Sequence, residues 1–195
     1  MFYKLCESIE SKLKNFIDDY SKQSSNSEIQ VAICVLPSGN AIFYCSENAG
    51  GKGSNAATLF EGKDDEISEW VNNNLKKDFN SITAKPLKSL QITTVWHAEM
   101  RIIYSVLKDL NDIKEEGFIT IYIKGKKCPC VKCEELIEKI NKLAGNYMTI
   151  KVLEPATDVK QRTNVGEWTN PIDHLTDGDI CHLPFAKELK KIVIN

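Results

Sequence analysis

A chain of 195 residues, 42% hydrophobic and 27% charged, has the mass of one ordinary globular domain and enough apolar side chain to build a core without disulfide staples. Its 25 Lys plus Arg against 27 Asp plus Glu leave a formal net charge of −2, which excludes a globally basic nucleic-acid sleeve and confines anion binding to a local patch. No apolar run approaches the roughly 18 residues of a membrane span and no signal-peptide pattern opens the sequence, so no membrane partner is expected.

The elements follow in chain order. Phe2, Leu5, Ile9, Leu13, Phe16, Ile17 and Tyr20 recur at helical spacing and predict an amphipathic helix over 2–20. The apolar run 29–36, the turn Pro37-Ser38-Gly39-Asn40 and the run 41–45 predict a β-hairpin. Residues 46–58 form a Gly/Ser/Asn-rich loop whose glycine spacing is wrong for a dinucleotide fingerprint. A helix is expected over 64–79, then a mixed connection with a short strand at 90–95. The stripe Met100, Ile103, Tyr104 and Leu107 predicts a strong helix over 97–110. A buried strand at 118–123, a helix at 134–143 and a strand at 147–153 complete a core of about 1–153. Residues 154–195 are assigned a fifth strand and a tail, with short strands near 180–183 and 191–194. Strands alternating with helices predict a single domain of α/β class, a sheet covered on both faces in three layers.

Seven cysteines, an odd number, stand in a sequence without a secretory signal. Cys6, Cys34, Cys45 and Cys181 are scattered in core-like segments, whereas Cys128, Cys130 and Cys133 cluster, which points to metal or redox chemistry before disulfides. His97-Ala98-Glu99 opens one helix, and Pro129-Cys130-x-x-Cys133 opens the next, with one strand between. Two thiolates three residues apart on a first helical turn can grip one tetrahedral ion, and the His97 imidazole supplies a third ligand. Zinc held by three protein ligands keeps a position for water, the catalytic arrangement, and lowers that water's pKa toward neutrality. Both helix starts add positive potential that favours thiolate. Glu99, two residues beyond His97, is placed to move a proton without ligating. A structural zinc site, free core cysteines, and Cys128 as a ligand in place of Cys130 stay open on spacing alone.

The pairing of His-x-Glu with Pro-Cys-x-x-Cys is the zinc deaminase signature, and the sequence here resembles the cytidine deaminase superfamily, which includes the APOBEC-like enzymes and the tRNA adenosine deaminases. The resemblance covers 97–133 by motif and roughly 1–153 by element order. It implies a mixed five-stranded sheet with both zinc-bearing helices on one face. It also implies His97, Cys130 and Cys133 as Zn2+ ligands and Glu99 as the catalytic proton shuttle. Residues 154–179 hold two prolines, two glycines and poor periodicity, so no crossover helix is expected and the fifth strand should run antiparallel, as in the free-cytidine and many toxin deaminases.

Ser46-Glu47-Asn48-Ala49 shares Glu-Asn-Ala with the free-cytidine deaminases, though about 50 residues ahead of His97. Asn48 is a candidate for a sugar or phosphate contact, against an ordinary turn residue. Trp96 is a candidate for stacking on a base, against core packing. Lys124, Lys126 and Lys127 are expected on the rim beside the zinc cysteines, where a nucleic-acid backbone would pass, against ordinary solvated surface. Trp168 reads as a lid or a core plug, and His174 and His182 as structural or exposed. His-Ala-Glu-Met, Cys-Pro-Cys-x-x-Cys and Val-Leu-Glu-Pro are similar to deaminase domains of bacterial polymorphic toxins. That similarity implies cytosine-to-uracil conversion in DNA, or in RNA, and a cognate immunity protein. It also implies action in a cytoplasm after delivery as part of a secreted toxin. A free nucleoside deaminase and a non-catalytic binding module are the alternatives.

Overall fold

The structure, a computed structural model, describes residues 2–22, 28–48, 59–87, 97–113, 115–157, 168 and 170–194. Helix α1 (Phe2–Ser21) leads into strands β1 (Glu28–Val35) and β2 (Ala41–Asn48), followed by α2 (Asp64–Asn74) and β3 (Ile82–Pro86). Then come α3 (Ala98–Asp112), β4 (Ile119–Gly125), α4 (Val131–Ala144) and β5 (Met148–Val152), with a last short helix α5 (Ala186–Leu189). The five strands form one mixed sheet in the order β3-β2-β1-β4-β5. Strand β1 is antiparallel to both β2 and β4, while β3 lies parallel to β2 and β5 parallel to β4. The α/β class with a mixed five-stranded sheet is therefore as the sequence predicts.

Strand alternation sorts the core into two layers. Ile29, Val31 and Ile33 of β1 and Ala41, Phe43 and Cys45 of β2 pack with α1 and α2. Ala32, Cys34, Tyr44, Ile119, Ile121 and Ile123 pack on the opposite face with α3, α4 and the apolar residues of 170–194. The predicted hairpin turn forms, with Leu36 N donating to Asn40 O at 2.9 Å and Gly39 at φ +81°, a conformation a side chain would strain. All seven cysteines are free. Cys34 and Cys45 are core, their thiols pushed up by burial, Cys34 to about 12. Cys6 is half-buried and packs against the core on the α1 side, whereas Cys181 is exposed, contrary to the core reading.

Several boundaries differ from the sequence reading. Helix α2 stops at Asn74 and a 3-10 turn takes Lys76–Asp78. Residues 90–95 lie outside the described residues, and β3 at Ile82–Pro86 is a strand the sequence reading does not predict. The largest correction concerns 154–195, where an antiparallel fifth strand was expected. Among the described residues of this segment there is no strand. Residues near 180–183 form successive turns, with Ile180 N bonded to Asp177 O and Leu183 N to Ile180 O. The edge beside β5 is closed instead by Asn141 of α4, which donates to Ile150 O at 2.8 Å and accepts from Ile150 N at 2.6 Å. Those are the backbone groups an added strand would need. The fifth strand is β3, on the far edge. Among the described residues no helix is long and apolar enough to cross a membrane.

Candidate metal centre

Helices α3 and α4 both begin beside the same end of the sheet, and each is capped by a residue of the sequence motif. His97 is the N-cap of α3 and Cys130 the N-cap of α4, both in extended backbone. Their carbonyls accept the first helical bonds, from Met100 N at 3.0 Å and from Glu134 N at 3.0 Å. Neither side chain caps its own helix, so imidazole and thiol are left to face each other. Cys130 Sγ lies 3.3 Å from Cys133 Sγ and 3.4 Å from His97 Nδ1, and Cys133 Sγ lies 3.5 Å from the same nitrogen. Bonds of about 2.3 Å to sulfur and about 2.0–2.1 Å to imidazole place the ligand atoms of a tetrahedral zinc roughly 3.5–3.8 Å apart, so the three need move only tenths of an ångström. All three are buried. Among the described residues no fourth His, Cys, Asp or Glu joins them, and Cys128 is half-buried outside the cluster.

The electrostatics suit a cation. Cys130 is pulled down to about 4 by its hydrogen bonding with Cys133 first and with His97 after it. Cys133 is raised, first by the same bond with Cys130 and then by burial. The positive ends of two helices favour the resulting negative charge. Glu99, only 1% exposed, is pushed up to about 7, chiefly by burial, with the charge of Glu28 adding to the rise and His97 opposing it.

Three further residues complete the surroundings. Gln30 of β1, fully buried, donates from Nε2 to Glu99 Oε1 at 3.2 Å and to Lys127 O at 3.3 Å. Gly125 makes room for it, since a Cβ there would come within 2.2 Å of Gln30 Nε2. Trp168 Nε1 donates to Cys133 Sγ at 3.4 Å, and Lys132 Nζ lies 5.9 Å from the centre of the Trp168 ring. Trp168 is therefore tied to the cluster itself. The only trace Gln30 leaves in the sequence is a polar side chain inside an otherwise apolar run, Ile29 to Leu36.

Other sequence candidates fall elsewhere. Trp96 lies outside the described residues, as does the side chain of Asn48, whose backbone ends β2. Lys126 and Lys127 are half-buried near the cysteines, but Lys124 is not on the rim. Strand alternation turns it toward α1, where it is 2% exposed and pairs with Glu10 Oε1 at 2.9 Å and with Glu154 O. His174 and His182 are exposed on the tail, outside the cluster.

Comparison with known proteins gives no family model, no curated protein and no solved structure that matches the chain. Fold and site together define an α/β protein whose His97, Cys130 and Cys133 form a possible metal-binding cluster.

Proposed function

We propose that this chain is a zinc-dependent deaminase of the cytidine deaminase type that converts cytosine to uracil in a polynucleotide, DNA in preference to RNA. The observation that carries the reading is the convergence of His97, Cys130 and Cys133 at two helix starts, with the buried carboxylate of Glu99 in the first turn of α3. The donor set, two sulfurs and one imidazole, is that of a three-ligand zinc site. Support for a polynucleotide comes from the half-buried Lys126, Lys127 and Lys132 beside the cysteines and from Trp168 next to Cys133. The proposed setting is a bacterial toxin acting in a target cytoplasm, with a cognate immunity protein as partner.

A zinc ion held there would supply the Lewis acidity that activates water near neutral pH. The net reaction adds one water at C4 of cytosine, breaks the C4–N4 bond and releases ammonia, leaving uracil. Glu99 takes one proton from that water and delivers it to ring N3, then carries the second to the departing amine. The buried walls keep bulk water from competing for these transfers.

The test is conversion of cytosine to uracil across cytidine, deoxycytidine, single-stranded DNA, double-stranded DNA and RNA, with Glu99→Ala as control. Conversion in a polynucleotide that falls roughly 100-fold or more in Glu99→Ala, with zinc content unchanged, is expected. Conversion of free nucleosides alone would move the protein to small-molecule metabolism. A wild-type protein that converts none of the five substrates sinks the reading.

A further inference from the structure

Two polar side chains on the site face of the sheet are buried without a use for one of their atoms. Gln30 of β1 and Ser46 of β2 are each fully buried. They sit directly opposite each other in the β1–β2 register, and Gly125 of β4 is the partner of Gln30 on its other side. By strand alternation Gln30 and Ser46 share the face of Ala32, Cys34 and Tyr44, which α3 covers. Gln30 Oε1 and Ser46 Oγ have no hydrogen-bond partner among the described residues. The orientation of the Gln30 amide is fixed by its neighbours. Its other atom meets Glu99 Oε1 and the Lys127 carbonyl, two acceptors, so that atom must be the N–H donor and the free one the oxygen.

An orphaned buried acceptor is costly to a fold, and native proteins keep such atoms where a ligand completes them. Here two of them belong to register partners on adjacent strands, and Gln30 itself is bonded to the carboxylate assigned the proton transfers.

We propose that Gln30 and Ser46 form the polar floor of the substrate site, a role that rests on the deaminase reading. Gln30 is a positioning residue whose N–H holds the Glu99 carboxylate in place. Its Oε1 accepts from the amino group of the heterocycle, and the Ser46 hydroxyl donates to the O2 carbonyl, leaving ring N3 to Glu99. The floor thus selects a planar base that presents a donor and an acceptor on one edge.

The experiment uses the full-length chain with Gln30→Met, which keeps length and volume, and Ser46→Ala. Three readouts are needed. Thermal melting should leave Ser46→Ala as stable as wild type or more so, because its hydroxyl has no protein partner to lose. The side-chain amide signal of Gln30 in 15N NMR spectra should be shifted from its solvent position in wild type and move back toward it in Glu99→Ala. On a single-stranded oligodeoxynucleotide carrying one cytosine, Ser46→Ala should raise KM about tenfold with kcat held. Gln30→Met should lower kcat roughly 10- to 100-fold, through loss of a hydrogen bond to a charged group. Cobalt-loaded Gln30→Met should keep the wild-type absorption spectrum, showing intact ligands. Wild-type kinetics within twofold in both variants would falsify the floor while leaving the deaminase reading standing. A wild type inert on every substrate overturns the deaminase reading and the floor with it, and a destabilised Ser46→Ala or a Gln30 amide indifferent to Glu99 overturns the floor alone.

Discussion

On the side of the sheet covered by α1 and α2, the ring of Phe16 is surrounded by Tyr20, Trp70, Phe43 and Phe60 at centroid distances of 4.3, 4.9, 5.0 and 6.1 Å. The buried polar strand residues of that side are matched: Lys124 with Glu10 and Glu154, and Glu47 with the backbone N–H of Leu59. The side covered by α3 and α4 is built mostly of aliphatic residues and, at one end, of His97, Glu99, Cys130, Cys133, Gln30 and Ser46. There Gln30 Oε1 and Ser46 Oγ have no hydrogen-bond partner among the described residues. One layer is an aromatic block, and the other gives part of its packing to buried polar groups, among them a possible metal-binding cluster. The aromatic block and the possible metal-binding cluster thus lie on opposite faces of one sheet, joined through β1, whose odd residues pack into the first face and even residues into the second.

The sharpest way to break this division is to damage each face and read the other. Phe43→Ala removes a fully buried ring from the aromatic block and should cost about 3–5 kcal/mol. Chemical denaturation measures that loss. The fraction that stays folded should still bind one zinc, and loss of zinc from folded Phe43→Ala would show the layers to be one unit. The converse experiment uses the metal. With zinc at about a thousand times its dissociation constant, binding adds about 4 kcal/mol, or roughly 8–16 °C in melting temperature for a domain of this size. A chelator should remove that increment from wild type. Cys133→Ser should show the same melting temperature with and without chelator, and a persisting difference would place the ion elsewhere.

How much of each face the sequence discloses follows the same division. Helix α1 is legible because Ile9, Leu13, Phe16, Ile17 and Tyr20 keep strict helical spacing and all are buried. The possible metal-binding cluster is legible because His97, Cys130 and Cys133 stand at helix starts, two of them within one turn, so local spacing carries the geometry. Gln30 is 69 residues from Glu99, and Trp168 is 35 from Cys133. Only the tertiary fold brings such pairs together, and no periodicity encodes it. Strand β3 fails for a related reason. Its Ile-Thr-Ala-Lys-Pro is short, alternately exposed and ended by Pro86, and what makes it a strand is the waiting edge of β2. Lys124 is misread because Lys124-x-Lys126-Lys127 looks like a surface run, whereas the alternation of β4 sends its first member inward. In the tail, Ile180, Leu183, Phe185, Leu189 and Ile192 are all buried at spacings that fit neither a strand nor a single helix.

That tail supplies the smallest test, since it covers α3 on the site face through contacts of two kinds. Asn111 donates to Gly178 O at 3.1 Å and accepts from His182 N at 2.8 Å, a pair of bonds indifferent to pH. Asp179 accepts from Lys108 Nζ at 2.8 Å and from Thr176 N and Oγ1 at 2.8 and 2.7 Å. The bond from Lys108, followed by those from Thr176, holds the Asp179 carboxyl down to about 2. Because the folded value lies below the unfolded one, near 3.9, this contact stabilises above pH 3.9 and is lost as pH falls toward 2. Lys108 is half-exposed, so solvent screens the pair and the gain at neutral pH is on the order of 0.5 kcal/mol. Amide hydrogen exchange at Ile180 and Leu183 between pH 5 and pH 2 should therefore show a small loss of protection in wild type. Asp179→Asn should start lower and stay flat across the range. A wild-type profile parallel to that of Asp179→Asn would assign the clasp to Asn111 alone, and the tail would then hold the site face without help from charge.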